Sequence, residues 1–194
     1  RAAPPGTRWH YSTGETNLIG ILLIHATGQP LTSYLQEKIW QPAGMEQEAT
    51  WILSKTGEEI SGCCVQAAPR DLLRFGRFIL DGARAGGQSV VPDGWLREAT
   101  RKQADTDDPE EGYGYQWSTR VDGSFTVRGA FGQGLYIDPA RELVIVTNAN
   151  WAGGAVDADA KAALIWGADG ERWHGPDDVI WHVNGDAAMY AGGI

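Results

Sequence analysis

The chain has 194 residues, with 25 acidic side chains against 16 basic ones and a formal charge of −9. Nucleic acid is not an expected partner, because a phosphate-tracking surface needs a surplus of Lys and Arg on one face. At 42% hydrophobic and 10% aromatic, the composition belongs to a folded globular chain and excludes disorder, collagen and coiled coil.

The longest apolar run, residues 18–24, is about a third of the length that crosses a bilayer, so no membrane span is expected. The first residues, Arg1-Ala2-Ala3-Pro4-Pro5-Gly6, show no charged-then-apolar signal pattern, and the compartment stays open. A first helix is expected from Glu15 to His25; it is apolar nearly all round, which suits a core position, and it stops at Thr27-Gly28. Leu31, Leu35 and Ile39 recur at four-residue steps beside Tyr34 and predict a second, amphipathic helix closed by Pro42 and Gly44. Cys63 and Cys64 are adjacent, a spacing that rarely reaches unstrained disulfide geometry. They are read as a buried pair of small apolar side chains in preference to a redox pair.

A third helix opens at Ala68-Pro69, carries Leu72, Phe75 and Ile79 on one stripe with Arg70, Arg74 and Arg77 on solvated faces, and ends at Asp81-Gly82. Residues 92–100 read as a short fourth helix. Beyond residue 112 the texture changes to β-branched and aromatic residues between Gly and Asp. Residues 113–117, 124–128, 134–138 and 143–148 are strand candidates, joined by turns at 121–123, 129–133 and 139–142, and short turns imply an antiparallel meander. A last helix is expected over 157–166 and an irregular tail over 167–194. With no repeat or linker to divide the chain, residues 1–194 read as one α+β domain, an antiparallel sheet flanked by helices.

Three stretches, taken in order, resemble the serine β-lactamase and penicillin-binding-protein superfamily, specifically its class C-like esterase branch and the 6-aminohexanoate-dimer hydrolases. The first is Trp9-His10-Tyr11-Ser12-Thr13-Gly14-Glu15-Thr16-Asn17, similar to the family's Tyr-x-Asn segment, with Ala26 to Leu31, Tyr34-Leu35, Ile39 and Pro42 to Met45 behind it. The second runs from Gly62-Cys63-Cys64-Val65 through Arg70-Asp71-Leu72-Leu73-Arg74-Phe75-Gly76 to Trp95. The third, Gly112 to Trp117 and Arg128-Gly129-Ala130-Phe131-Gly132-Gln133 to Pro139, is similar to the strand that carries Lys-Thr-Gly or its replacements.

The family nucleophile sits in Ser-x-x-Lys, upstream of the Tyr segment, and none of the serines here (12, 33, 54, 61, 89, 118, 124) has Lys three residues on. The resemblance therefore implies the C-terminal part of a β-lactamase-like hydrolase. Its Ser and Lys would come from an N-terminal portion of the same protein or from a complementing chain. A natural pseudoenzyme is the lesser account of that absence.

The implied activity is hydrolysis of carboxylic esters or amides through an acyl-enzyme, with a small ester or amide as substrate and no cofactor. Tyr11 is implied as the base; a phenol with its ordinary pKa near 10 serves at neutral pH only beside an ammonium such as the motif's Lys. Ala130 is implied as one oxyanion donor, with Gly129 and Gln133 of the same segment as substrate-binding positions, and glycines on both sides of it allow close approach. Thr13 falls where the family often has Asn, and its hydroxyl is a lesser hydrogen-bonding substitute. Lys-Thr-Gly is replaced by Val127-Arg128-Gly129, which counts against β-lactam binding.

Trp117, Trp51 and Tyr115 are candidates for the wall of an acyl pocket, with core packing the simpler role for at least two of them. His174, His182, Asp177, Asp178 and Asp186 lack metal-ligand spacing, so no metal is expected, and His10 and His25 read as structural. The competing reading, from another class, is a catalytically silent penicillin-binding-like module whose groove holds a peptide or cell-wall fragment.

Overall fold

The structure is a computed structural model that describes residues 3–4, 6–130 and 132–148, and the backbone of 163–166 and 188–189. Packing divides the chain into two compact units, Arg1–Ala68 and Pro69–Ile194.

In the first unit, helix α1 (Thr13–Thr27) opens with a serine N-cap. Ser12 takes the N-cap position with extended backbone, its hydroxyl accepts the Glu15 N–H at 3.4 Å, and Glu15 places a negative charge in the first turn. Gly28 ends the helix at φ +70°, where its N–H donates to the Ile24 carbonyl at 2.8 Å. Helix α2 (Leu31–Leu35) follows and widens into a π-helical turn over Gln36–Trp40. Strands β1 (Thr50–Trp51) and β2 (Val65–Gln66) pair antiparallel.

The expectation that α1 lies in the core is not met. Of its residues only Gly20 is buried, while Leu18, Ile19, Ile21 and Leu22 expose 60, 53, 48 and 67% of their surface. A helix that is apolar on every side needs cover on every side, and the elements of its unit reach it along one line: α2, and the turn at Ser61-Gly62. No single helix among the described residues is long and apolar enough to cross a membrane.

The Cys63–Cys64 expectation is also corrected. The two sulfurs form a vicinal disulfide, Cys63 is exposed and Cys64 half-buried, and Cys64 takes φ +79°. The turn supplies a left-handed backbone position that adjacency alone does not reveal.

The second unit opens with helix α3 (Pro69–Leu80), followed by the short pair β3 (Arg84–Ala85) and β4 (Gln88–Ser89), and helix α4 (Trp95–Ala99). A meander then runs through β5 (Ala104–Asp105), β6 (Glu111–Tyr113), β7 (Ser118–Arg120), β8 (Phe125–Arg128), β9 (Gly134–Asp138) and β10 (Leu143–Thr147). Strands β11 (Ala163–Trp166) and β12 (Ala188–Met189) extend the same sheet beyond β10, all neighbours antiparallel.

The α+β reading holds, with an antiparallel sheet beside helices. Three local expectations change. Residues 113–117 are not one strand: β6 ends at Tyr113, residues 114–117 form a corner, and β7 begins at Ser118. Gly114 forces the corner, because its N–H donates to the Trp117 carbonyl at 2.8 Å and a Cβ there would lie 2.3 Å from the Ala99 carbonyl oxygen. Over the expected last helix, residues 163–166 are strand, and 157–162 lie outside the described residues, as does the expected tail except for β12. Ala163-Leu164-Ile165-Trp166 is apolar enough for either state, and the unpaired edge of β10 supplies the ladder that decides it.

The third change is the face of α3 that is buried. Of the 72/75/79 stripe only Ile79 is buried, with Asp71, Leu73, Gly76 and Phe78, while Leu72 and Phe75 are half-buried. Gly76 explains the rotation: a Cβ there would stand 2.4 Å from Val144 Cγ1 and 2.8 Å from Leu135 Cδ1, so the helix backbone lies directly on β9 and β10. Leu135, Ile137, Val144 and Val146 alternate onto that face and are at most 4% exposed, each adding roughly 1.5–3 kcal/mol of burial. Arg74 is drawn from solvent onto the fully buried Asp71, Nη1 to Oδ1 at 2.9 Å.

Gly to Ala in a helix interior ordinarily adds about 1 kcal/mol of stability. At Gly76 the methyl meets packed side chains, which costs about 1–3 kcal/mol. Gly76→Ala is therefore expected to lower unfolding free energy by up to about 2 kcal/mol in chemical denaturation; greater stability would mean that α3 is not seated as described.

Candidate active site

The candidate residues fall into two groups, one in each unit. In the first, Tyr11 is 62% exposed, one residue before the N-cap of α1, and Thr13 is the first helical residue. The turn at Ile60-Ser61-Gly62 presses on this end of the helix. Gly62 N–H donates to Asn17 Oδ1 at 2.7 Å, the Ser61 hydroxyl donates to the Thr16 carbonyl at 3.0 Å, and a Cβ on Gly62 would stand 2.5 Å from Thr13 Cγ2. Asn17 and Gly62 thus hold the Tyr11 segment, a role their sequence neighbourhood did not signal. His10 and His25 are both exposed, His25 in the last turn of α1, where positive charge suits the helix terminus.

In the second unit, β7 pairs with β8 only at Phe125 and Thr126, so the ladder stops before Val127 and Arg128, leaving that end of β8 open on the β7 side. The loop after β8 is tied at its neck, where Gly129 N–H donates to the Gln133 carbonyl at 2.7 Å. Gln133 also packs over Gly129, where an added Cβ would stand 2.8 Å from the Gln133 Cβ and force a shift. Gly132 turns at φ +90° and its carbonyl accepts from the Thr147 hydroxyl at 3.0 Å. Ala130 is exposed in this loop. The sequence placed Gly129, Ala130 and Gln133 together, and the structure keeps them together.

Arg128 is held by Glu111 through its two terminal guanidinium nitrogens, Nη1 to Oε2 at 3.1 Å and Nη2 to Oε1, and Arg120 adds a contact at 3.3 Å. Glu111 carries no signal in the sequence, since only the folded sheet brings Arg120 and Arg128 to one carboxylate. Of the expected aromatic wall, Trp51 belongs to the first unit and Trp117 and Tyr115 to the second. Trp117 stands edge-on to Phe125 at 5.0 Å, Tyr115 tilts against Trp95 at 5.5 Å, and Trp51 lines a cavity of about 430 Å3 in the first unit with Trp40 and Met45. Among the described residues no three His, Cys, Asp or Glu side chains gather to hold a metal, and the acidic-histidine tail of 174–186 lies outside them.

The β-lactamase family pattern matches residues 1–169. The chain belongs to the β-lactamase family. A 6-aminohexanoate-dimer hydrolase of Paenarthrobacter ureafaciens is 28% identical over 178 residues, covering 86% of this chain and 42% of that protein. The solved structure of a Bacillus anthracis protein provisionally described as a 6-aminohexanoate-dimer hydrolase is 28% identical, with a TM-score of 0.71 over 81% of this chain and 42% of its own. A Mycobacterium bovis β-lactamase shares the fold at 22% identity and a TM-score of 0.63, over 82% of this chain and 63% of its own. The chain thus spans less than half the length of the two 6-aminohexanoate-dimer hydrolase relatives. The fold is β-lactamase/transpeptidase-like, as the motifs of this family member implied.

The β7–β8 hairpin that sets the open strand end is fixed at its turn by Asp122. Its carboxylate accepts the Ser124 hydroxyl at 2.6 Å and the Ser124 N–H at 3.0 Å, and the hydroxyl bond, then the N–H bond, hold it below the ordinary carboxylate range. A depressed carboxylate stabilises the fold above its unfolded value and loses that contribution as pH falls through the folded value. By NMR titration, Asp122 is expected to ionise below an ordinary Asp, and Ser124→Ala to move it upward; identical titration in both proteins would contradict the turn.

Proposed function

We propose that this chain supplies the proton-relay and oxyanion groups of a serine hydrolase that cleaves carboxylic esters or amides through an acyl-enzyme. The nucleophilic Ser and its Lys come from a Ser-x-x-Lys segment of the same polypeptide outside these residues, or from a complementing chain. The 194 residues alone are then inactive.

In the proposed reaction the Tyr11 phenolate, stabilised by that Lys, takes the proton from the Ser hydroxyl as the oxygen attacks the substrate carbonyl. The N–H groups of Ala130 and of the Ser receive the developing oxyanion. The proton passes to the departing alcohol or amine, and water repeats the sequence in reverse to release the acid. Thr13, Trp117, Gly129 and Gln133 bind and position substrate. The observation that carries this reading is the open end of β8 running into the exposed Ala130 loop, extended backbone left free of the β7 ladder where a substrate can lie.

The substrate preference follows from Arg128. Its guanidinium is engaged by Glu111, so the cation that would pair with a β-lactam carboxylate is already neutralised. Esters and linear amides, the class to which the relatives' name points, are favoured over β-lactams.

The test uses the complete polypeptide and a small p-nitrophenyl ester, with the 6-aminohexanoate dimer and a chromogenic cephalosporin beside it. Tyr11→Phe keeps the ring and removes the hydroxyl, so turnover is expected to fall about a hundredfold to ten-thousandfold with unchanged thermal unfolding. Unchanged turnover and unchanged stability would remove Tyr11 from the mechanism. Saturable binding of ligand with no turnover in the unmodified protein would instead assign a silent binding module.

A further inference from the structure

The turn that bears Cys63 and Cys64 has no part in acyl transfer as proposed, yet it is built tightly onto α1. Ser61 and Gly62 are bonded to Thr16 and Asn17, and neither Gly62 nor Gly20 has room for a side chain: a Cβ on Gly20 would overlap Ser61 Oγ at 2.0 Å. On the other flank, Trp51 Nε1 donates to the Cys63 carbonyl at 2.9 Å and Ile52 N–H to the Cys64 carbonyl at 3.3 Å. Between these anchors Cys64 sits at φ +79°, a region disfavoured for any residue with a Cβ, and its sulfur is bonded to that of the exposed Cys63.

We propose that Cys63 and Cys64 are a redox modification site. As a disulfide they hold Cys64 left-handed and keep the turn clamped on α1; as two thiols they release Cys64 to ordinary backbone and loosen the Gly62 contact with Asn17. The oxidant is a small-molecule disulfide of the glutathione class. The exposed Cys63 thiolate attacks it and expels one small thiolate, forming a mixed disulfide. The Cys64 thiolate then attacks the Cys63 sulfur and expels the second. Two protein thiols thus lose two electrons and two protons, and the small disulfide is reduced to two thiols.

The full chain is equilibrated across reduced-to-oxidised glutathione ratios, and free thiols are alkylated and mapped while NMR hydrogen exchange follows the Gly62 amide. Both cysteines are expected to become alkylatable together in a single two-electron transition. Gly62 exchange should rise about tenfold on reduction, the order of the left-handed penalty expressed as an equilibrium factor. Cys64→Gly, which accepts positive φ without a cross-link, is expected to keep the slow rate in both buffers, and Cys64→Ala the fast rate. Alkylation of both thiols even at the oxidising limit, or Gly62 exchange indifferent to reduction, overturns the proposal. The wild-type titration decides this even if the alanine variant fails to fold.

Discussion

The contact on which the second unit depends is the approach of the α3 backbone to β9 and β10 at Gly76, with Val144 and Leu135 filling the space that a side chain would occupy. It sets the distance of helix from sheet, and the layer of Leu135, Ile137, Val144 and Val146 closes beneath it. Seating β9 also seats β8, its ladder partner from Phe125 to Arg128, and with β8 the loop that carries Ala130. The candidate oxyanion element is therefore placed by packing on the helix-covered side of the sheet, through strands that themselves hold no reacting group.

Charge is used in the same positioning way. In a chain of net charge −9 the arginines are spent on particular carboxylates: Arg74 on buried Asp71, Arg141 on buried Asp138, and Arg120 and Arg128 together on Glu111. The first two secure a helix start and the β9–β10 turn. The third bears on the proposed function, because Arg128, at the open end of β8, is engaged by a carboxylate that the sheet brings from β6. The exposed ends of Arg120 and Arg128 keep the net energy of the Glu111 pairs modest, about 1 kcal/mol or less.

Features written in local chemistry were legible in the sequence. Gly28 closes α1, Pro69 opens α3, and β9 and β10 fall on the strand candidates to either side of the Pro139 turn. What escaped depends on partners distant along the chain. Gly114 breaks the apparent strand 113–117 because Ala99 and Arg101 carbonyls stand against it, and Ala163 to Trp166 becomes strand because β10 offers an edge. On α3, Leu73 and Gly76 are buried in place of Leu72 and Phe75, because glycine, which contributes nothing to a hydrophobic count, makes the close contact with β9 and β10. At the site, Gly129, Ala130 and Gln133 were legible as one loop, whereas Glu111, Asn17 and the Cys63–Cys64 bond were not, each being a pairing across folded backbone or a backbone angle.

Acyl transfer by this chain is tested most directly by trapping the intermediate. The complete polypeptide, or this chain with its complementing partner, is mixed with a slowly deacylating ester, quenched in acid and weighed by intact mass spectrometry with peptide mapping. One acyl group on the Ser of the Ser-x-x-Lys segment, formed only when residues 1–194 are present, is the result predicted. Absence of any adduct from a folded protein that binds the ester, or an adduct formed equally fast without these residues, would contradict it.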